Sequence, residues 1–161
     1  MIYLDNAAST RILPEVIQEL VKSCEEYYGN PSSIHSAGQK AKKLLENSRE
    51  VIAGLFGAEG KEIIFTSGGA EGNNLVIKGA AEAYAYKGKH IITTDIEHPT
   101  VLNTLLDLEE KGYEITYLHT DKNGLINVEE LKDSLRRDTI LVSVMSSNNE
   151  TGVIQPIEQI G

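Results

Sequence analysis

The chain has 161 residues, of which 40% are hydrophobic and 24% charged, an ordinary composition for a globular protein and a length that favours one domain. Its net charge of −9, from 24 acidic and 15 basic side chains, argues against a nucleic-acid surface and against binding to anionic membranes. No long apolar run and no signal peptide is apparent, and a single cysteine excludes an internal disulfide framework. By default we expect a cytoplasmic protein.

The first part of the chain predicts an extended arm and an amphipathic helix. Residues 2–12 combine turn-prone and small residues and favour the arm. A helix is expected from about Pro14, a residue tolerated in the first turn. Its apolar residues recur at helical spacing on one face: Leu13, Val16, Ile17, Leu20, Val21 and Cys24. Cys24 is therefore expected to be a small buried hydrophobe and not a reactive thiol.

A second helix follows a loop at residues 29–33, which is indicated by glycine, asparagine, proline and serine. We expect this helix from about Ala37 to Phe56, with Gly57 in the left-handed position after it. His35 lies just before the helix, and we interpret it as a histidine that is hydrogen-bonded within the loop.

The sequence pattern of residues 63–75 predicts a short strand, a tight turn with two glycines and the start of a helix. Ile63–Phe65 are expected to form a short buried strand, and the helical pattern begins at Ala70. The first amides of a helix lack intrahelical partners and carry partial positive charge, and glycines let a ligand approach the backbone. The pattern indicates a phosphate site, although it lacks the lysine of a P-loop and the spacing of a dinucleotide fingerprint. A sharp turn whose glycines serve geometry alone is the alternative that the local pattern leaves open.

Strands and helices then alternate. We expect strands at 90–94, 114–118 and 139–145, a helix that starts at Pro99 and is closed by Gly112, and a helix from Asn127 to Leu135. Asn127 followed by Glu130 resembles a capping box. The run 139–145 is the most β-prone of the chain and predicts a central strand. This alternation predicts an α/β fold with a mainly parallel sheet, right-handed crossovers and flanking helices.

Three of the predicted strands end in polar residues. Residues 67–71, Glu97-His98 and residues 146–150 follow these strands, and parallel sheets bind ligands beyond their carboxyl ends. Taken singly, His98 is equally explained as a helix cap and Asn148-Asn149 as a turn. Together they suggest a phosphorylated ligand with a polar ring system.

Five sequence motifs that occur in a fixed order indicate a known protein family. They are YLDNAAST at 3–10, GNPSSIH at 29–35, FTSGGAE at 65–71, EH at 97–98 and NNETG at 148–152. They resemble the amino-terminal part of the cysteine desulfurases, in the class V aminotransferase family, and the resemblance covers the whole chain.

The resemblance implies a pyridoxal-phosphate enzyme of fold type I that acts as a homodimer. Such enzymes convert L-cysteine to L-alanine and pass persulfide sulfur to iron–sulfur scaffold proteins or other sulfur acceptors, including thiolation pathways. The cofactor acts as an electron sink, and the protein supplies orientation and electrostatics. It also implies that residues 1–12 form an arm contributing to the small domain and that residues 13–161 are an incomplete large cofactor-binding domain.

The resemblance implies cofactor-binding or catalytic roles for four residues. The amides of Gly69 and Ala70 hold the cofactor phosphate, His98 stacks on the pyridine ring and shuttles protons, and Asn149 hydrogen-bonds near the ring hydroxyl and the substrate carboxylate. No metal ligand is implied. The family usually has threonine in place of Ala70, so a hydroxyl contact worth about 1.5–3 kcal/mol is missing and weaker cofactor binding is expected. Gly72 replaces the commoner serine and is expected to loosen the first helical turn by about 1 kcal/mol or less.

Other residues of the family have no counterpart in these 161 residues. They are the aspartate for the pyridine nitrogen, the lysine that holds the cofactor and the persulfide cysteine. We therefore expect a fragment that is inactive alone and leaves apolar sheet surface uncovered. Two alternatives stay open: another class V enzyme, such as a selenocysteine lyase or an aminotransferase, and a non-catalytic binding or assembly module.

Overall fold

A computed structural model describes residues 2–161, and the chain divides into two compact units. The first ends at Phe65 and the second runs from Thr66 to Gly161. The separation of an arm at 1–12 from a large domain at 13–161 stays a prediction. Among residues 2–161, no helix combines the length and apolar character needed to span a membrane.

The first unit contains two helices and a short 3-10 turn. The helices are α1 (Pro14–Glu26) and α2 (Ser36–Phe56), and the turn is Gly60–Glu62. His35 is the residue before α2, and its Nδ1 accepts a hydrogen bond from the Gly38 amide at 3.2 Å, which confirms a hydrogen-bonded histidine. Gly57 ends α2 with φ of 64°, the left-handed conformation predicted for it.

The apolar face of α1 forms as predicted, but the expected burial of Cys24 is wrong. No residue of α1 is buried, Cys24 is exposed, and Leu20 is 60% exposed. Helical spacing fixes which side of a helix is apolar, whereas burial needs a second element packed against that side. Within the described residues, no such element covers α1.

The predicted buried strand at Ile63–Phe65 is also wrong. The segment is not paired in a sheet, and Ile64 is 68% exposed. Its local partner is Arg49 of α2, which donates to the Ile63 carbonyl and lies over the Phe65 ring at 4.8 Å. A strand requires a neighbouring strand for its backbone hydrogen bonds, and the described residues provide none beside this segment.

The second unit is a parallel α/β layer. Its elements are α3 (Gly69–Ala83), β1 (His90–Thr94), α4 (Pro99–Glu109), β2 (Glu114–Leu118), α5 (Val128–Ser134), β3 (Thr139–Val142) and α6 (Ile157–Ile160). The strand order is β2-β1-β3, and both pairings are parallel. The predicted α/β class, parallel sheet and flanking helices are thus confirmed.

Two details of this unit differ from the sequence prediction. The run expected as a central strand at 139–145 is a four-residue strand at the edge of the described sheet, whereas β1 is central and buried throughout. High β propensity reports fit to a half-buried pleated surface, and it does not determine strand order. Asn127 caps α5 as expected, but it accepts from the amide of Glu129 and not from that of Glu130, the third helical residue.

The core lies on both faces of β1. Ile91 packs with residues of α3 and α4, in a cluster of Ile77, Ala81, Val101, Leu105 and Leu108. Ile92, on the opposite face, packs with Leu118, Ile126 and Leu131. Because successive strand residues point to opposite faces, β1 fixes α3 and α4 on one side and α5 on the other.

Candidate functional site

The glycine turn leads directly into α3, with Gly69 and Ala70 exposed in its first turn. A Cβ built on Gly69 would meet no atom within 4 Å, so a ligand can approach this backbone closely. The Ser67 amide already donates to Glu71 Oε2 at 2.6 Å, a contact that lowers the pKa of the Glu71 carboxyl. The amides available to an anion are therefore those further into the turn, as expected for Gly69 and Ala70.

The start of α4 holds His98, which is the N-cap residue of this helix. His98 Nδ1 accepts from the Thr100 amide at 3.1 Å and lies 2.8 Å from Thr100 Oγ1. Asn73 of α3 donates its Nδ2 proton to the same Thr100 Oγ1 at 2.8 Å. This contact joins the second turn of α3 to the first turn of α4.

A buried carboxyl group joins the ends of β1 and β3. Glu97 is 7% exposed, and its Oε1 accepts from Thr94 Oγ1 at 2.9 Å and from the Met145 amide at 2.7 Å. Burial raises the pKa of the Glu97 carboxyl, against the opposing effect of these two hydrogen bonds. In the sequence, Glu97 stands out only as the neighbour of His98, because no local signal indicates the Met145 amide as its partner.

The loop after β3 is built around Asn148 and presents Asn149. Buried Asn148 accepts from the amides of Glu150 and Thr151 at 3.0 and 2.9 Å and donates to the Ile96 carbonyl at 3.2 Å. Asn149 is exposed, and its Nδ2 donates to Glu150 Oε1 at 2.9 Å. The first asparagine of the pair therefore anchors the loop, which leaves the second to face outward.

These contacts bring three segments together at the carboxyl end of the sheet. The three segments, called here the rim, are residues 67–73, 97–100 and 145–149. An open helix start, an imidazole and an exposed carboxamide are suited to an anion attached to a polar ring. The donor set fits pyridoxal phosphate, because backbone amides match its phosphate and the two side chains match its ring and substituents. No group of three or more metal-ligating side chains occurs among residues 2–161.

The model of the family "Aminotransferase class-V" matches residues 2–161, which is nearly the whole sequence. The chain belongs to the class V aminotransferase family. Among the similar members is "Cysteine desulfurase IscS" of Dictyoglomus turgidum, 49% identical over 159 residues, which cover 99% of this chain and 40% of that protein. "Putative cysteine desulfurase IscS 1" of Bacillus subtilis is also 49% identical, over 99% of this chain and 42% of its own length. The chain thus spans about 40% of the length of these curated class V relatives.

Solved class V structures share the fold. A "NIFS-like protein" is 41% identical with a TM-score of 0.93, and the match covers 96% of this chain and 43% of that one. A structure described as "SspA in complex with cysteine" gives a TM-score of 0.91 at 41% identity, over 98% of this chain and 46% of that one. The family resemblance and the fold class predicted from the sequence are confirmed.

Proposed function

We propose that this chain forms the phosphate- and ring-binding part of a pyridoxal-phosphate-dependent cysteine desulfurase. The observation that carries the proposal is the joining of the three rim segments through the Asn73–Thr100 and Glu97–Met145 hydrogen bonds. Those bonds assemble an anion-binding helix start beside an imidazole, in a chain about half identical to proteins named cysteine desulfurases.

The amides of Gly69 and Ala70 bind the cofactor phosphate. Partial positive charge at the start of the 15-residue helix α3 favours the anion. Glu71 introduces an opposing negative charge in the same turn, but its carboxylate is engaged by the Ser67 amide. The missing threonine hydroxyl at Ala70 makes the phosphate site weaker than that of relatives with threonine there.

His98 and Asn149 act at the reacting end of the ligand. When bound, the cofactor supplies an electron sink for the substrate amino acid. With Nδ1 occupied by Thr100, the His98 Nε2 atom is the one that exchanges a proton at the rim. Asn149 contributes an exposed carboxamide that orients the ring hydroxyl and the substrate carboxylate.

The proposed substrate is L-cysteine and the proposed products are L-alanine and a persulfide sulfur that passes to a scaffold or other acceptor protein. The solved relative described as a complex with cysteine supports the substrate class. We also propose a homodimeric enzyme, in which residues 1–12 form an arm and 13–161 belong to the large domain. The uncovered apolar face of α1 supports self-association.

Cofactor binding and product analysis test this proposal together. We expect a saturable absorbance change when pyridoxal phosphate is titrated into the protein, and the His98→Asn variant is expected to alter the bound cofactor's spectrum. A protein of full family length that begins with these 161 residues is then supplied with L-cysteine, L-selenocysteine or an amino donor with a keto acid. Alanine formed from L-cysteine supports the proposal. Turnover confined to selenocysteine, transamination alone, or no cofactor binding would each reject it.

A further inference from the structure

Thr100 is the hydrogen-bonding partner of His98 Nδ1. Both the amide and the hydroxyl of Thr100 approach Nδ1, at 3.1 and 2.8 Å. The hydroxyl oxygen also receives the Asn73 side-chain amide at 2.8 Å. Neither Asn73 nor Thr100 was singled out by the sequence motifs.

The direction of each hydrogen bond follows from the chemistry of the groups. An amide N–H can only donate, so Nδ1 must carry a lone pair, and the proton of the neutral ring is then on Nε2. A threonine hydroxyl has one proton and two acceptor sites. Because Asn73 donates to Thr100 Oγ1, the hydroxyl proton is free to point at His98 Nδ1. The network therefore runs in one direction, from Asn73 through Thr100 to His98.

We propose that Thr100 and Asn73 are positioning residues that hold His98 as its Nε2–H tautomer, with Nε2 directed to the rim. The amide and the hydroxyl of Thr100 share the single lone pair of Nδ1 as donors, and Asn73 fixes the hydroxyl so that its proton stays on the histidine side. Placing a proton on Nδ1 would set it against the Thr100 amide. The catalytic meaning of this tautomer rests on the proposed function, since His98 acts there as the proton-exchanging group.

The tautomer can be measured without cofactor. Long-range proton–nitrogen correlation spectra of the purified protein identify which ring nitrogen carries the proton, and His98→Asn assigns His98 among the four histidines. We expect the unmodified protein to carry the proton on Nε2. Thr100→Val is expected to raise the Nδ1–H to Nε2–H ratio about fivefold, which corresponds to one hydrogen bond of about 1 kcal/mol. Thr100→Ser keeps the hydroxyl and should restore the original ratio.

Matched variants on the same helices separate positioning from general loss of structure. Thr104→Val removes a hydroxyl from α4 that donates to the Thr100 carbonyl, and Asn74→Ala removes a carboxamide from α3 that donates to the Ala70 carbonyl. Both are expected to leave the His98 spectrum unchanged, whereas Asn73→Ala should shift it in the direction of Thr100→Val. A proton on Nδ1 in the unmodified protein would overturn the proposal even if every variant failed to fold. An unchanged ratio in folded Thr100→Val would overturn it as well.

The same variants keep this inference distinct from the proposed function. If the spectra follow expectation and pyridoxal phosphate does not bind, the positioning network stands and the desulfurase proposal fails. If cofactor binds and alanine forms while Thr100→Val leaves the tautomer ratio unchanged, the desulfurase proposal stands and the positioning network fails. In an active enzyme, Thr100→Val is expected to lower kcat about fivefold with little change in KM.

Discussion

His98 caps α4 through Nδ1, and proton exchange at the rim is a second role that we propose for the same imidazole. A His98→Asn substitution separates them, since an asparagine oxygen can accept from the Thr100 amide but cannot exchange protons like an imidazole. If the proposed desulfurase activity is present, we expect His98→Asn to lower its turnover by about 10²–10⁴-fold while keeping the melting temperature. His98→Ala should lose turnover and, in addition, about 1 kcal/mol of stability. Steady-state kinetics and thermal unfolding of both variants provide the measurement, and near-normal turnover in His98→Asn would leave the helix cap as the only role of this residue.

Ala70 offers a gain-of-affinity test of the proposed phosphate site. The residue is exposed in the first turn of α3, where a threonine hydroxyl can reach a bound phosphate. We expect Ala70→Thr to tighten pyridoxal-phosphate binding by about tenfold or more, as one hydrogen bond to a charged group is worth about 1.5–3 kcal/mol. Ala70→Val has nearly the same shape without the hydroxyl and should give no gain. Equal Kd values for the two variants in an absorbance titration would place the phosphate elsewhere.

At the scale of the elements, the central strand β1 depends on a neutral histidine. Buried His90 has Nδ1 2.7 Å from Thr139 Oγ1 on β3 and Nε2 2.9 Å from Thr116 Oγ1 on β2. Burial, followed by the nearby Arg136 guanidinium, lowers the pKa of His90, and the carboxylates of Asp138 and Glu114 oppose this shift. The folded state therefore binds fewer protons than the unfolded state below about pH 6.5. The stability that depends on neutral His90 is complete above that pH and is lost as the pH falls toward the folded pKa.

Urea unfolding between pH 5 and 8 measures this contribution, provided that an opposing histidine is removed. The exposed His119 is paired with Asp95 at 2.8 Å, which raises its pKa, so its contribution is present below about pH 6.5 and is lost as the pH rises. In a His119→Gln background, we expect the His90-dependent part of the free energy of unfolding to fall as the pH drops from 7 to 5.5, while the raised pKa of Glu97 acts in the opposite direction with or without His90. Adding His90→Gln should flatten this slope, and parallel pH profiles with and without His90 would contradict the assignment.

Glu97 provides a second test at this scale, because it joins the ends of β1 and β3. Glu97→Ala leaves the buried Thr94 hydroxyl and the half-buried Met145 amide without their acceptor, and an unpaired buried group costs about 1–3 kcal/mol. Glu97→Gln keeps an acceptor oxygen of the same reach and should cost clearly less. Urea unfolding of both variants at pH 7 gives the comparison. Equal losses of stability would show that the carboxylate charge matters more than the two hydrogen bonds.

At the scale of the whole molecule, the apolar face of α1 is the surface to test for self-association. Leu13, Val16, Ile17, Leu20 and Val21 are each 47–64% exposed. Contiguous apolar surface of this kind favours association, so we expect concentration-dependent self-association in sedimentation velocity runs. Leu20→Glu should weaken it, whereas Gln18→Glu adds the same charge on the polar face and should not. Equal weakening by both variants would indicate a charge effect instead of contact through the apolar face.

Many features of the fold could be predicted from the sequence alone. Glycine and proline positions, helical spacing and β-prone runs predicted the main helices, the three paired strands, the left-handed Gly57 and the parallel α/β class. These features depend on contacts between residues close in sequence and on local backbone preferences, which a single sequence displays directly. The five motifs in their fixed order likewise identified the family.

The features that only the tertiary structure decided involve contacts between residues far apart in the sequence. The exposure of Cys24, the unpaired segment at 63–65 and the edge position of β3 each depend on whether another element packs alongside. The contacts Asn73–Thr100 and Glu97–Met145, which assemble the rim, join residues 27 and 48 positions apart. Periodicity and propensity describe one element at a time, so they cannot specify which hydroxyl or amide another element will bring within 3 Å. Gly69, Ala70, His98 and Asn149 could thus be named from the sequence, whereas the contacts of Asn73, Thr100 and Met145 that connect their segments were identified only from the structure.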